Sequence, residues 1–302
     1  MKWRKLGLVF FPDGSLPWAR HSALTPTPIL HHSGCIRVYA GFRDGGGVSR
    51  IGWVDVEPAN PTRVLRVSRH PALDIGSPGT FDDNGVILGD IVRHENRLWM
   101  FYVGFQIVAK AKFLAFSGLA QSDDAGETFV RVQSTPVMDR SPEGCYIRAI
   151  HSVLRTPTGW RAYYAVGNKW QQIQGHPYPS YFTACVETHA LESWPAAGIP
   201  CLGPVGDEYR LGRPRVYALK NRLLMLFTAG SISGSYLAGC AESIDGIQWR
   251  RGELGLPLST DGWDSQALSY PAILEVEGRV FVFYNGNDMG RTGFGAAELL
   301  DW

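Results

Sequence analysis

The chain has no long hydrophobic run, no Cys-x-x-Cys pair, no excess of charge of one sign and no long stretch with a helical period. Each absence excludes something. Without an apolar run of about 20 residues, no membrane-spanning helix is expected. The net charge is +1 and Lys and Arg are scattered, so neither a nucleic-acid footprint nor a polybasic membrane patch is present. Cys35, Cys145, Cys185, Cys201 and Cys240 are odd in number and read as reduced and mostly buried thiols. The histidines stand singly and no His/Asp/Glu spacing resembles a ligand set, so no metal and no cofactor is expected. The apolar run at residues 6–11, before Pro12, is too short for a signal peptide and lacks a small-residue cleavage site. The expected location is the cytoplasm. The oligomeric state is left open.

What is there is a repeat. A strand signature ending in or near glycine occurs at residues 36–41, 99–104, 161–167 and 224–230, and again at 281–286. Gly41, Gly104, Gly167 and Gly230 stand 63 residues apart, and Gly286 follows after 56. A fixed period with one strand signature marks an array of like units. Each unit carries about four short β-rich runs separated by Gly, Pro, Asn or Asp turns, which describes a propeller blade. The expected fold is all-β: a single five-bladed β-propeller domain over residues 1–302. The strand at residues 3–11 has no hairpin partner nearby, and the last unit is one strand short. The N-terminal strand is therefore expected to complete that unit and close the ring. A second motif, Ser122-Asp123-Asp124-Ala125-Gly126-Glu127-Thr128-Phe129, returns in shorter form at Ser243-Ile244-Asp245-Gly246-Ile247-Gln248-Trp249. Such turns satisfy their own backbone groups, so Asp124 and Asp245 receive no catalytic role.

In a propeller the innermost strands all start at one end of the central channel, so the blade openings converge on one funnel. Blade one opens at Pro17-Trp18-Ala19-Arg20-His21, and Arg43-Asp44 ends its second strand. Blade two opens at Asp82-Asp83. Blade three opens at residues 141–148, with Glu143 and Arg148, and runs into His151. Blade four opens at Asp207-Glu208-Tyr209-Arg210, followed by Arg213-Pro214. Blade five opens at Gly262-Trp263-Asp264 and continues through Tyr270-Pro271. The candidate catalytic residues are thus Glu143, Asp83, Asp82, Glu208 and Asp264. Successive strand side chains face opposite ways, so only one of Asp82 and Asp83 aims at a given site. The candidate binding groups are His21, Arg43, Asp44, Arg148, His151, Trp170, Arg213, Trp263 and Tyr270. Insertions at residues 105–117 and 168–181 are expected to rim the funnel. The second, rich in Gln, Gly and Pro, reads as a surface loop presenting Trp170, Tyr178 and Tyr181.

Taken together, several motifs resemble a known family. They are Leu16-Pro17-Trp18-Ala19-Arg20-His21, Arg43-Asp44, Pro78-Gly79-Thr80-Phe81-Asp82-Asp83-Asn84-Gly85, Arg213-Pro214, Gly262-Trp263-Asp264 and Tyr284-Asn285-Gly286-Asn287. The chain resembles the five-bladed propellers, glycosyl hydrolase family 32- or 43-like, of bacterial capsule and O-antigen gene clusters. The resemblance implies an enzyme acting on a glycosidic bond, with Asp82 or Asp83 orienting and Glu143 as general acid. The family's blade-one carboxylate has no counterpart, since that opening offers Arg20 and His21. Either Glu208 or Asp264 takes its role, or the chemistry is not ordinary hydrolysis. A phosphorylase, with Arg148, Arg210 and Arg213 as anion-binding groups, is one alternative. A carbohydrate-binding propeller without catalysis is the other, and the 12% aromatic content with ten Trp suits either. A carbohydrate or glycoconjugate is the expected partner throughout.

Overall fold

Short runs of apolar, β-branched and aromatic residues between Gly, Pro and Asp turns form the strands, most of them buried on both faces. The computed structural model describes residues 1–302 except Ser235 and is all-β, its one helical assignment being a single turn at Asn287–Gly290. The first strand, β1 (Lys2–Phe10), stands alone in sequence. Four meanders follow: β2 (His21–Leu30), β3 (Ile36–Arg43), β4 (Ser49–Val56) and β5 (Val64–Val67); β6 (Val86–His94), β7 (Arg97–Gln106), β8 (Leu114–Ser122) and β9 (Val130–Arg131); β10 (Ile147–Thr156), β11 (Gly159–Ile173), β12 (His176–Thr188) and β13 (Ile199–Leu202); and β14 (Glu208–Ala218), β15 (Leu223–Ser231), β16 (Tyr236–Ser243) and β17 (Arg250–Gly252). The fifth unit has β18 (Ser269–Val276), β19 (Arg279–Asn285) and β20 (Phe294–Asp301). Its fourth place is taken by β1, which pairs antiparallel with β20, from Lys2 opposite Asp301 to Phe10 opposite Phe294.

Hydrogen bonding groups the strands into three sheets. Short parallel contacts, β8 to β10 and β12 to β14, stitch the second, third and fourth units together. The first strands of successive units touch one another, β2 with β6, β6 with β10, β10 with β14, β14 with β18, and β18 with β2.

The apolar cores lie between units. Tyr39 and Trp53 of the first pack with Leu88 and Met100 of the second, while Ile36 and Val38 pack with Phe281 and Phe294 of the fifth. A fully buried Leu or Phe contributes roughly 1.5–3 kcal/mol, so each face holds its neighbour. The Asp turns act at the same seams. Ser122 and Asp124 close their own turn, and the Gly126 carbonyl this exposes accepts the Tyr39 hydroxyl of the preceding unit at 2.8 Å. The Ser243–Asp245 turn repeats the device, with Gly246 O accepting from Tyr163 at 3.1 Å.

One expectation fails here. Residues 168–181 do not form a loop: they extend β11 and β12 into a long hairpin, with Trp170 opposite Pro179 and Gln171 opposite Tyr178. The turn is Gln174-Gly175, both at positive φ, a two-residue geometry that matches strand twist. Packing of Trp170 edge-on against Phe113, 5.4 Å between centroids, outweighs the weak strand propensity of Gln and Pro.

Candidate functional site

Each of the five inner strands carries an extra residue at the same height. Thr25-Pro26 of β2 stand opposite Ala40 alone, Arg213-Pro214 of β14 opposite Phe227, and Tyr270-Pro271 of β18 opposite Tyr284. In β6 and β10 the unpaired residues are Gly89 and His151. These are β-bulges, which bend a strand and re-aim its side chains. Proline, which cannot donate to a ladder, is tolerated there. Thr25, Arg213 and Tyr270 have φ of 54°, 54° and 56°, a left-handed backbone that costs such residues on the order of 1–3 kcal/mol and clusters at functional sites. Three X-Pro pairs inside strand patterns were the sequence signal for this row of bulges.

A bulge frees carbonyl groups, and two arginines of β14 collect them. The Arg213 guanidinium, 1% exposed, donates to Tyr270 O at 3.1 Å, Thr25 O at 3.0 Å, Pro26 O and the Thr27 hydroxyl. Arg215 donates to His151 O at 3.1 Å, Gly89 O at 3.3 Å and the buried Asp90 carboxylate. Between them they bond all four of the other inner strands. Burial, with Arg215 alongside, pushes the Arg213 guanidinium below its ordinary value.

Arg213 and His151 line a cavity of about 470 Å³ at this centre. Ile87, Val103, Ala115, Ile147, Ala149 and Ala165 give it an apolar wall, and Phe105, Phe113, Tyr178, Tyr181, Tyr236 and Tyr270 supply rings. Tyr236 donates to the Tyr270 hydroxyl at 2.8 Å. Burial, reinforced by Tyr270 and Tyr181, holds the Tyr236 hydroxyl well above its ordinary value, so it keeps its proton. Arg43, Lys112 and Arg210 add positive charge, and no Asp or Glu stands among the described lining residues. Arg210 lies over Tyr236 at 4.7 Å and Tyr209 at 4.9 Å. Among the described residues, neither Arg43 nor Arg210 makes a side-chain hydrogen bond or ion pair, and Nε of each is buried without a partner. Burial, followed by the charges of Arg213 and Arg215, pushes the His151 imidazole well below its ordinary value, leaving it neutral. Its Nδ1 is buried and unpartnered, as are Thr25 Oγ1 and Ser49 Oγ of the same wall. Among the described residues no three His, Cys, Asp or Glu side chains come together to hold a metal.

Of the sequence candidates, Arg43, His151, Arg213 and Tyr270 meet in this cavity. The five carboxylates do not converge on it, contrary to the expected funnel. Asp82 accepts from Arg131 at 2.7 Å and Thr80 at 2.9 Å. Asp83 caps the Gly79 amide at 2.8 Å. Glu208 takes a two-pronged bond from Arg251 at 2.8 and 2.7 Å. Asp264 accepts from Lys5 at 2.7 Å and Tyr284 at 2.9 Å. Arg131, Arg251 and Lys5 all sit on the outermost strand of their unit, so in the second, fourth and fifth units the opening carboxylate ties the start of the unit to its outermost strand. Glu143 accepts from Arg148 at 2.9 Å, Tyr164 at 2.7 Å and the Gly198 amide at 3.0 Å.

The remaining binding candidates also lie outside the described lining. His21 bonds Ser22, Asp44 caps its own turn and pairs with Arg50, and Arg148 is spent on Glu143 and two carbonyls. Trp170 packs behind Phe113, and Trp263 stacks on Tyr284 at 5.1 Å. Asn84, Lys112 and Tyr236 line the cavity without having been singled out. Asn84 follows Asp83 at the opening of its unit and Lys112 lies in the insertion at residues 105–117, so both had readable positions, as did Tyr236 at the start of β16.

No protein-family model matches the chain. It is 31% identical over 302 residues to the uncharacterized protein Rv1502 of Mycobacterium tuberculosis strain H37Rv, covering 99% of both. A solved glycoside hydrolase superposes with a TM-score of 0.77 at 15% identity, over 99% of this chain and 92% of that one. A thermostable family-43 glycoside hydrolase superposes with a TM-score of 0.68 at 15% identity, over 95% and 92%. These two likenesses show the fold, that of propeller glycoside hydrolases.

Proposed function

The chain belongs to the family of the mycobacterial protein Rv1502, and on that premise we propose a carbohydrate-active protein of the glycoside-hydrolase type. It takes a glycan into the central cavity and acts on a glycosidic bond there. The observation that carries this is the cavity: rings and open donors gathered at the meeting point of five inner strands. Aromatic faces stack on sugar rings, and a few converging polar groups orient a ligand. The same reading takes the five units as the blades of one propeller over residues 1–302, closed by β1. Support comes from the β1–β20 ladder and from Asn285 of the last unit, which bonds Thr25 N at 2.8 Å and Ala23 O at 2.7 Å in the first. The motif resemblance extends the reading to bacterial surface polysaccharide.

Cleaving a glycosidic bond ordinarily takes a protonated and an ionised carboxyl across it. The described lining has neither, which favours a second reading, glycan binding without cleavage. On the enzyme reading Glu143 is the general acid and must leave Arg148, Tyr164 and Gly198 to reach the bond. A panel of oligosaccharides and aryl glycosides separates the two, assayed by released sugar with and without phosphate and by calorimetric binding. Turnover that falls on the order of 10²–10⁴ in Glu143→Gln supports the enzyme. Binding without turnover supports the second reading, and failure of every glycan to bind removes both.

A further inference from the structure

We propose that the glycan held in the central cavity is an acidic one, its carboxylate gripped by Arg43 and Arg210. The proposal deepens the glycan reading and rests on it. Two guanidinium groups line one cavity, and among the described residues neither has a carboxylate, hydrogen bond or ion pair to answer its charge. Both line the cavity that Tyr270 also lines. This is unusual among the described arginines that are not exposed: Arg37, Arg131, Arg148, Arg215 and Arg251 each have a carboxylate within 3 Å, and Arg213 has carbonyl partners. The ring faces of Tyr236 and Tyr209 answer the Arg210 charge in part, but a guanidinium taken partly out of water without an acceptor is costly, and an anionic ligand removes that cost. Guanidinium forks match a planar carboxylate with paired hydrogen bonds.

The floor supplies independent evidence. His151, 6% exposed, keeps an unpartnered Nδ1, and Arg213, 1% exposed, an unpartnered Nε. With Ser49 Oγ, also unpartnered, the cavity offers open hydrogen-bonding groups on several sides and no Asp or Glu among its described lining. No carboxylate of the described lining opposes a negative ligand, and a neutral sugar would leave two cations unanswered. The apolar wall of Ile87, Val103 and Ala149 raises the strength of any charge pairing formed beside it.

The test is calorimetric titration with methyl glucuronide, galacturonide and mannuronide against their neutral hexosides, with inorganic phosphate as a third arm. At least one uronide is expected to bind about 10- to 100-fold tighter than its neutral counterpart, and more weakly as salt rises. Arg43→Gln and Arg210→Gln should each erase most of that preference, Arg43→Gln with the melting temperature of the free protein unchanged or higher and Arg210→Gln with at most a small loss from its contacts with Tyr236 and Tyr209. Equal binding of acidic and neutral sugars overturns the proposal but spares the glycan site. Inorganic phosphate binding as tightly as any uronide also overturns it, in favour of a free anion. If no sugar binds at all, the glycan reading falls and this proposal with it. The salt dependence of the unaltered protein decides the matter even if a variant fails to fold.

Discussion

At the outer strands carboxylates meet cations, as Asp82 meets Arg131 and Glu208 meets Arg251, whereas at the centre Arg43 and Arg210 meet none. The first arrangement joins the ends of a four-stranded unit and leaves little charge available for chemistry. The second keeps charge available at a place where burial makes it expensive. The opening carboxylates of three units are neutralised, yet cations stand open in the central cavity, which is why the proposed binding site is placed there. Charges recurring at the openings of several units therefore fasten those units, while the central Arg213 and Arg215 fasten the inner strands to one another and Arg43 and Arg210 do neither.

That contrast can be broken by removing its parts. The largest effect is expected from Arg213→Met, which strands the carbonyls of Thr25, Pro26 and Tyr270 without a donor. A buried unsatisfied group costs roughly 1–3 kcal/mol, so the loss in urea unfolding should reach about 3 kcal/mol or more. Asp264→Asn comes next. It leaves Lys5 and Tyr284 facing an amide and should cost about 1–3 kcal/mol, with glycan affinity unchanged. Glu143→Gln keeps the shape but loses the charge opposite Arg148, 3% exposed along its side chain. A stability loss of about 1–2 kcal/mol with unaltered affinity is expected, and altered affinity would join Glu143 to the cavity after all.

The smallest effect is a pH dependence. Arg279 above all, with Arg4 from β1, pulls the Glu298 carboxyl down from 4.5 to about 2 against the opposing effect of burial. Because the folded value is depressed, this stabilisation is complete above the unfolded value of 4.5 and is lost as pH falls toward 2. Burial raises the Asp264 carboxyl, but Lys5, Ser259 and Tyr284 outweigh it and hold it low, so its contribution falls away in the same direction. Urea midpoints should therefore drop between about pH 4.5 and 2, less steeply in Glu298→Gln. Since Arg4 is mostly exposed, added salt should shrink the difference.

Much of the fold was legible because short apolar runs bounded by turn residues and a 63-residue period are local or self-comparing signals. The return strands β3, β7, β11, β15 and β19 and the use of residues 3–11 beside the last unit could all be read that way. The destinations of charged side chains could not. Asp82 finds Arg131 49 residues on, and Asp264 finds Lys5 across 259 residues, distances at which no spacing rule operates. The bulges that build the cavity left a trace in Thr25-Pro26, Arg213-Pro214 and Tyr270-Pro271, whereas Gly89 and His151 left none. The hairpin at residues 168–181 was misread because its strands are stabilised by Phe113 and by their own turn rather than by composition.

The most direct test is a crystal structure of the protein with the tightest-binding sugar of the panel. The account places the sugar in the central cavity, its ring against Tyr178, Tyr236 or Tyr270 and a polar group within hydrogen-bond distance of Arg43 or Arg210. A sugar seated instead against Glu143, Asp82 or Glu208, with those carboxylates released from their arginines and the central cavity bare, would contradict it.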